Sequence, residues 1–179
     1  MKDWNVVVSV RERRLPQAFD LLEEYGPVRK TDFFNVLVMK VDDVRELLEA
    51  LRKRLVEDPA SLSSVSRLVP ATHTFSFQSL EEFEDKAKET VLTWVPELAA
   101  RSFHVRMRRR GFKGRLSSAE EERFLDTILL EALEKAGSIG RITFERPDAV
   151  IAVETVGPRA GLSLWDQENM ERYPFLRLD

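Results

Sequence analysis

The chain has 179 residues, of which 33% are charged and 43% hydrophobic, and carries a net charge of −3. This composition describes a folded globular chain rather than a disordered one, long enough for one large domain or two small ones. No apolar run approaches the roughly 20 residues that span a bilayer, and the absence of cysteine excludes disulfides, thiolate nucleophiles and Cys-based zinc sites. The opening MKDWNVVVSVRERR goes straight into a strand pattern without a signal-peptide signature, so the expected location is the cytoplasm.

In chain order, Asn5–Val10 is rich in β-branched residues and predicts a strand. Pro16 suits the first turn of a helix whose apolar face is Phe19, Leu22 and Tyr25, with Gly26 as its C-terminal cap. Val28–Lys30 and Phe33–Val41 predict two strands around a polar turn at Thr31–Asp32. Asp43 with Glu46 forms a capping box that opens a helix with Val44, Leu47, Leu48, Leu51 and Leu55 on one face, stopped at Asp58–Pro59. Ser64–Phe77 predicts a strand, in which Pro70 implies an edge or a bulge. The order is β-α-β-β-α-β, the ferredoxin-like arrangement.

The second part begins with Ser79 and Glu82, another capping box, followed by Leu80, Phe83, Ala87, Val91, Leu92 and Val95 at helical spacing. Pro96 breaks or kinks that helix, and a short helical piece runs to Ala100. The next strand leads into Gly111–Leu116, a loop. Ser117 and Ser118, each with Glu three residues on, open a helix whose core face is Phe124, Leu125, Ile128, Leu129, Ala132 and Leu133, ended by Gly137. Ile142–Phe144 predicts a short strand, Ala149–Val156 a buried central one and Gly161–Trp165 a last one. The tail to Asp179 is expected to be irregular or to pair at an edge.

Against an acidic background, Arg101–Arg115 gathers Arg101, Arg106, Arg108, Arg109, Arg110, Lys113 and Arg115 with no acidic residue among them. Its first half alternates. Phe103, Val105 and Met107 fall on one side of a strand, and His104, Arg106, Arg108 and Arg110 on the other. Such a stripe is either a solvated edge strand or a surface for an anion. The loop Gly111-Phe-Lys-Gly114 adds small residues, Lys113 and Arg115 add charge, and the following helix start adds free N–H donors. Phe112 has two readings: it stacks on an unpaired base, or it packs back onto the sheet. His104 among arginines reads as a surface strand histidine touching a ligand phosphate rather than a general base. Asp148, after Pro147, is expected to hold a turn through local backbone.

Catalytic signals are sparse. His73 and His104 show no metal-pair spacing, and neither G-x-S-x-G, Walker A nor a strand-linked G-x-G-x-x-G occurs. The acidic residues at helix starts, Glu81, Glu82, Glu84, Asp85 and Glu120–Glu122, complement the helix dipole. No enzyme activity and no cofactor or metal is expected.

The segment SFHVRMRRRG, the capped helix after it, then RPDAVIAVE and GLSL, resembles the THUMP domain of tRNA-modifying proteins. RLVPATHTFSFQSLEEFEDKAKETV is similar to the join between an N-terminal ferredoxin-like domain and THUMP in the same proteins. The resemblance implies an α+β fold: a ferredoxin-like β-α-β-β-α-β domain over residues 1–77, then a THUMP-type α/β domain with a mixed sheet over 78–179. It implies that the two domains bind tRNA together, with THUMP taking the acceptor region and single-stranded 3′ end. With Asp179 as its end, the chain is expected to lack the catalytic domains fused in known members. It looks most like the stand-alone adaptor subgroup, which presents tRNA to an acetyltransferase making N4-acetylcytidine. The expected RNA-binding residues are His104, Arg106, Arg108, Arg109, Arg110, Phe112, Lys113 and Arg115, with tRNA and a modifying enzyme in trans as partners. The alternative is a protein interaction module whose basic patch meets an acidic partner.

Overall fold

A computed structural model describes residues 1–178. They form two compact units. The first comprises Met1–Thr72 together with Met170–Arg177, and the second comprises His73–Asn169 with Leu178.

The first unit contains β1 (Val6–Val10), α1 (Leu15–Glu23), β2 (Val28–Lys30), β3 (Val36–Met39), α2 (Val44–Glu57) and β4 (Val65–Pro70). Its sheet has the order β2-β3-β1-β4, with every neighbouring pair antiparallel. That is the ferredoxin-like topology the element order implied. Asp43 caps α2 by accepting from the amides of Arg45 and Glu46 at 2.9 and 3.1 Å. Leu47, Leu48 and Leu51 are buried along α2. On α1 the buried residues are Ala18, Leu21 and Leu22, a face rotated from the expected Phe19–Leu22–Tyr25 stripe.

The expected single strand Ser64–Phe77 is two strands in two sheets. β4 pairs with β1, whereas β5 (His73–Ser76) pairs with Arg159–Asp166 in the second sheet. Pro70 ends β4 on an edge, where its missing N–H breaks no ladder bond.

The second unit continues from β5 with α3 (Leu80–Leu92), α4 (Val95–Leu98), β6 (Ser102–Arg108), α5 (Ser118–Lys135), β7 (Arg141–Ile142), β8 (Ala149–Val156) and β9 (Arg159–Asp166), and α6 (Gln167–Arg172) begins in it and ends in the first. The sheet order is β5-β9-β8-β6-β7, with β6 parallel to β7 and β8 and the other pairs antiparallel. One face of this mixed sheet packs Phe103, Val105, Met107, Ile151, Val153 and Leu162 against Phe83, Ala87 and Val91 of α3 and Leu125, Leu129 and Leu133 of α5. Ser79 and Ser117 cap their helices as the sequence suggested, accepting from the amides of Glu82 and Glu120. Gly140 is required by close approach: a Cβ there would stand 2.3 Å from Leu133 Cδ1.

The C-terminal tail does more than the expected irregular path. Asp166 and Asn169 exchange side-chain-to-amide hydrogen bonds at the start of α6, a reciprocal cap. The chain then returns to the first unit. Leu68 N–H donates to the Phe175 carbonyl at 3.0 Å, and Arg67 Nε donates to the Arg177 carbonyl at 2.9 Å. Tyr173, Phe175 and Leu176 are buried. Glu49 accepts from Arg172 Nε and Nη2 at 2.7 and 3.0 Å and from the Tyr173 hydroxyl at 2.5 Å. Those hydrogen bonds hold its carboxyl below the usual carboxylate range. The pair is exposed to solvent and contributes little by itself, so burial holds the tail.

Leu176→Ala is therefore expected to destabilise the protein by about 2–5 kcal/mol, the range for emptying a buried leucine site. Arg172→Ala should cost well under that. Urea unfolding of the two variants measures the difference.

Candidate nucleic-acid interface

β6 carries the basic stripe, and its period of two sorts side chains as the sequence implied. Phe103, Val105 and Met107 are buried in the core. On the opposite face the four expected surface residues meet different fates. His104 is only 5% exposed; its Nδ1 lies 3.2 Å from the Val105 carbonyl, and its ring lies against Phe144. It is a packed imidazole, not the surface histidine the sequence suggested. Arg106 is half-buried and Arg108 exposed. Arg110 donates through Nη1 to Glu154 Oε2 at 2.8 Å, with Glu154 buried on the neighbouring strand. Glu154 stands across from Arg108 in register, so one carboxylate neutralises part of the stripe.

The loop after β6 needs left-handed backbone at three of its residues: Gly111 (φ 95), Phe112 (φ 54) and Gly114 (φ 78). A Cβ on Gly114 would meet nothing within 4 Å. The glycine thus serves the backbone conformation, and open space surrounds it. Arg109 Nη1 bonds the Gly111 carbonyl and braces the loop. Phe112 packs back onto the core, its ring 4.9 Å from that of Phe77. The Arg115 guanidinium lies 4.6 Å from the Phe112 centroid and donates to the Gln78 carbonyl at 3.2 Å. Of the two readings of Phe112, the geometry places it in packing. Lys113 and Arg115 are exposed.

Where this loop meets α5, an open pocket of about 600 Å³ is lined by Arg109, Gly114, Arg115, Leu116 and residues 117–120. The first turn of an α-helix leaves backbone amides without helical partners and carries the positive end of the helix dipole. Two arginines thus line one concavity with the start of a helix, a combination of charge and backbone amides suited to an oxyanion such as phosphate. Glu120 in the lining offsets part of that field. Among the described residues, no group of three or more His, Asp or Glu side chains is placed to hold a metal.

Acidic groups also build the site, among them Glu122, read from the sequence as part of a helix start, and Asp126, which the sequence did not single out. β7 covers β6 only at Ser102 and Phe103, so among the described residues the rest of that edge of β6 has no neighbouring strand. There the Val105 amide donates to Asp126 Oδ1 at 2.9 Å and the Met107 amide to Glu122 Oε2 at 2.7 Å. Two carboxylates one helical turn apart thus replace the absent strand. Burial pushes the Asp126 carboxyl up to about 7, against the lowering effect of the Val105 amide and with Glu122 adding repulsion. Burial and a carboxyl–carboxyl contact with Glu84 push Glu121 up to about 8. Asp148 does not hold a local turn. Its Oδ2 accepts the Ser102 amide and its own amide donates to Ser102 Oγ, both at 2.9 Å, which joins the starts of β6 and β8. The Ser102 amide is the main reason its carboxyl lies below the ordinary aspartate range.

No family model matches the chain, and no curated protein matches it. Solved structures do share its fold. PH1313 from Pyrococcus horikoshii Ot3 matches 92% of this chain and 55% of its own length, with a TM-score of 0.58 and 15% identity. A 4-thiouridine synthetase solved as an RNA complex with bound ATP matches 92% of this chain and 42% of its own, with a TM-score of 0.56 and 13% identity. TrmN from Thermus thermophilus matches 90% and 44%, with a TM-score of 0.55 and 22% identity. The chain spans about half the length of the structures it matches. An antiparallel ferredoxin-like sheet followed by a mixed sheet is the THUMP-type architecture expected from the sequence.

The raised Asp126 carboxyl sets a sign for pH dependence. Its folded value of about 7 lies above the 3.8 of an ordinary aspartate, so between the two the folded state binds more protons than the unfolded one. Stability then falls as pH rises through that window. Asp126→Asn keeps an oxygen for the Val105 amide and removes the titration. The variant should gain stability relative to the parent on going from pH 5 to pH 8, read from urea midpoints at each pH. Part of the slope remains, because Glu121 acts in the same direction.

Proposed function

We propose that this chain is a non-catalytic RNA-binding protein that captures tRNA at its acceptor region and single-stranded 3′ end. The observation that carries this reading is the pocket lined by Arg109, Arg115 and the first turn of α5, in a segment that also carries the exposed Arg108 and Lys113. A shared fold with a synthetase solved bound to RNA supports it. Phosphates occupy the pocket and the outer stripe, Arg106, Arg108 and Lys113. These contacts position the strand, while selectivity comes from the unpaired end and from shape. Arg110 serves mainly to neutralise Glu154, and His104 to pack the sheet. In this reading the chain acts for a modifying enzyme in trans, such as an N4-acetylcytidine acetyltransferase, and residues 1–77 and 78–179 act as its ferredoxin-like and THUMP domains.

Fluorescence anisotropy with labelled tRNA tests the proposal. Four phosphate contacts on a single strand give a log–log slope of affinity against salt of about −3, and Arg106→Ala or Lys113→Ala should each reduce it by about 0.7. Trimming the 3′ overhang should weaken binding by at least tenfold. Equal affinity for intact and trimmed tRNA, or no binding at low salt, sinks the reading.

A further inference from the structure

We propose that Phe144 is a stacking platform for an unpaired RNA base, standing at the head of the arginine-bearing face of β6. This inference rests on the RNA-binding reading above and adds a subsite to it. Phe144 is 77% exposed, whereas Phe112, for which stacking was one of two readings, is packed on Phe77. A large aromatic side chain held in water on an ordered surface is the unusual observation, since most phenylalanines are buried.

The platform is built. β7 ends at Ile142, and Thr143 N–H still donates to the Phe103 carbonyl at 3.1 Å, so the backbone next to Phe144 is tied to β6. The Phe144 ring lies against the imidazole of His104, with centroids 5.5 Å apart and planes inclined by 49°. His104 is itself buried, so a fixed ring backs the phenyl group and leaves most of it to solvent. His104 and Arg106 point to the same face of β6, about 6–7 Å apart along the strand. A base stacked on Phe144 therefore has its backbone beside Arg106, and the chain of nucleotides continues towards Arg108. Arg141 and Arg146, both exposed, bracket the ring in sequence. An aromatic face joined to a row of cations is the pairing by which proteins hold single strands without reading sequence.

The competing role for Phe144 is to shield His104, and it predicts a different result. Anisotropy is measured with a labelled single-stranded oligoribonucleotide and with a duplex of the same sequence. Phe144→Leu, which keeps an apolar cover over His104, should weaken single-strand binding by about tenfold and leave duplex binding unchanged. Phe144→Trp should restore affinity, and fluorescence from the introduced indole should be quenched by the single strand. Single-strand affinity unchanged in Phe144→Leu, or no quenching in Phe144→Trp, overturns this inference while the parent protein still binds RNA. Absence of binding by the parent protein itself overturns the RNA-binding reading and this subsite with it.

Discussion

The hydrogen bonds from the Val105 and Met107 amides to Asp126 and Glu122 fix helix α5 to the edge of β6 that β7 is too short to cover. The match is geometric. Four residues of helix rise about 6 Å, and two residues of strand about 6.6 Å, so an i, i+4 carboxylate pair meets alternate strand amides in register. The pairing runs backwards, Asp126 to Val105 and Glu122 to Met107. The helix start must then lie near the strand end. A short loop closes the reversal, and that closure brings Arg109 and Arg115 to the first turn of α5. The pocket follows from the edge cap rather than from any residue that lines it. The same cap satisfies amides that would otherwise offer a pairing edge to another chain.

Positive charge concentrated in one segment does not mean positive charge uniformly available. Arg109 braces the loop carbonyl of Gly111, Arg110 meets Glu154, and Arg115 lies against Phe112. Arg110 and Glu154 have side chains only 12% and 2% exposed. Removing one member of such a buried pair disturbs the charge of the other, so its loss reads as unfolding before it reads as lost binding. Lys113 is exposed and makes no such structural contact. Arg109 and Arg115 make such contacts and also line the pocket. A site of this kind separates into cations that shape the surface and cations that meet the ligand, and burial decides which is which.

Periodicity made most of the elements readable, because it reflects which side of a strand or helix meets a core. Phe103, Val105 and Met107 are buried as their alternation required, and Leu125, Leu129 and Leu133 as their helical spacing required. The capping serines and Asp43 were visible for an equally local reason. What escaped depended on partners distant in sequence. His104 belongs by pattern to the exposed face, yet Phe144, far along the chain, lies against it. Glu122 and Asp126 look like ordinary acidic residues of a solvated helix until β7 proves too short to cover β6. Asp148 looked like a turn residue and instead reaches Ser102. The break between β4 and β5 lies within one β-prone run, and nothing local assigns its halves to different sheets.

The return of the chain to its first unit constrains how the protein is made. A boundary drawn where the strand pattern gives way to helix, near Gln78, encloses all the regular elements of the ferredoxin-like sheet. It omits Tyr173, Phe175 and Leu176, which are buried within that unit, and the carbonyls of Phe175 and Arg177 that meet Leu68 and Arg67 on its edge strand. Arg67 is itself only 5% exposed, and a buried guanidinium without its acceptor is costly. The first unit is thus finished only when residues 170–177 have arrived. A continuous piece of sequence can hold a fold's topology without holding its core. Here the second unit must be synthesised before the first can close, which ties the integrity of the ferredoxin-like sheet to the same chain that carries the basic strand.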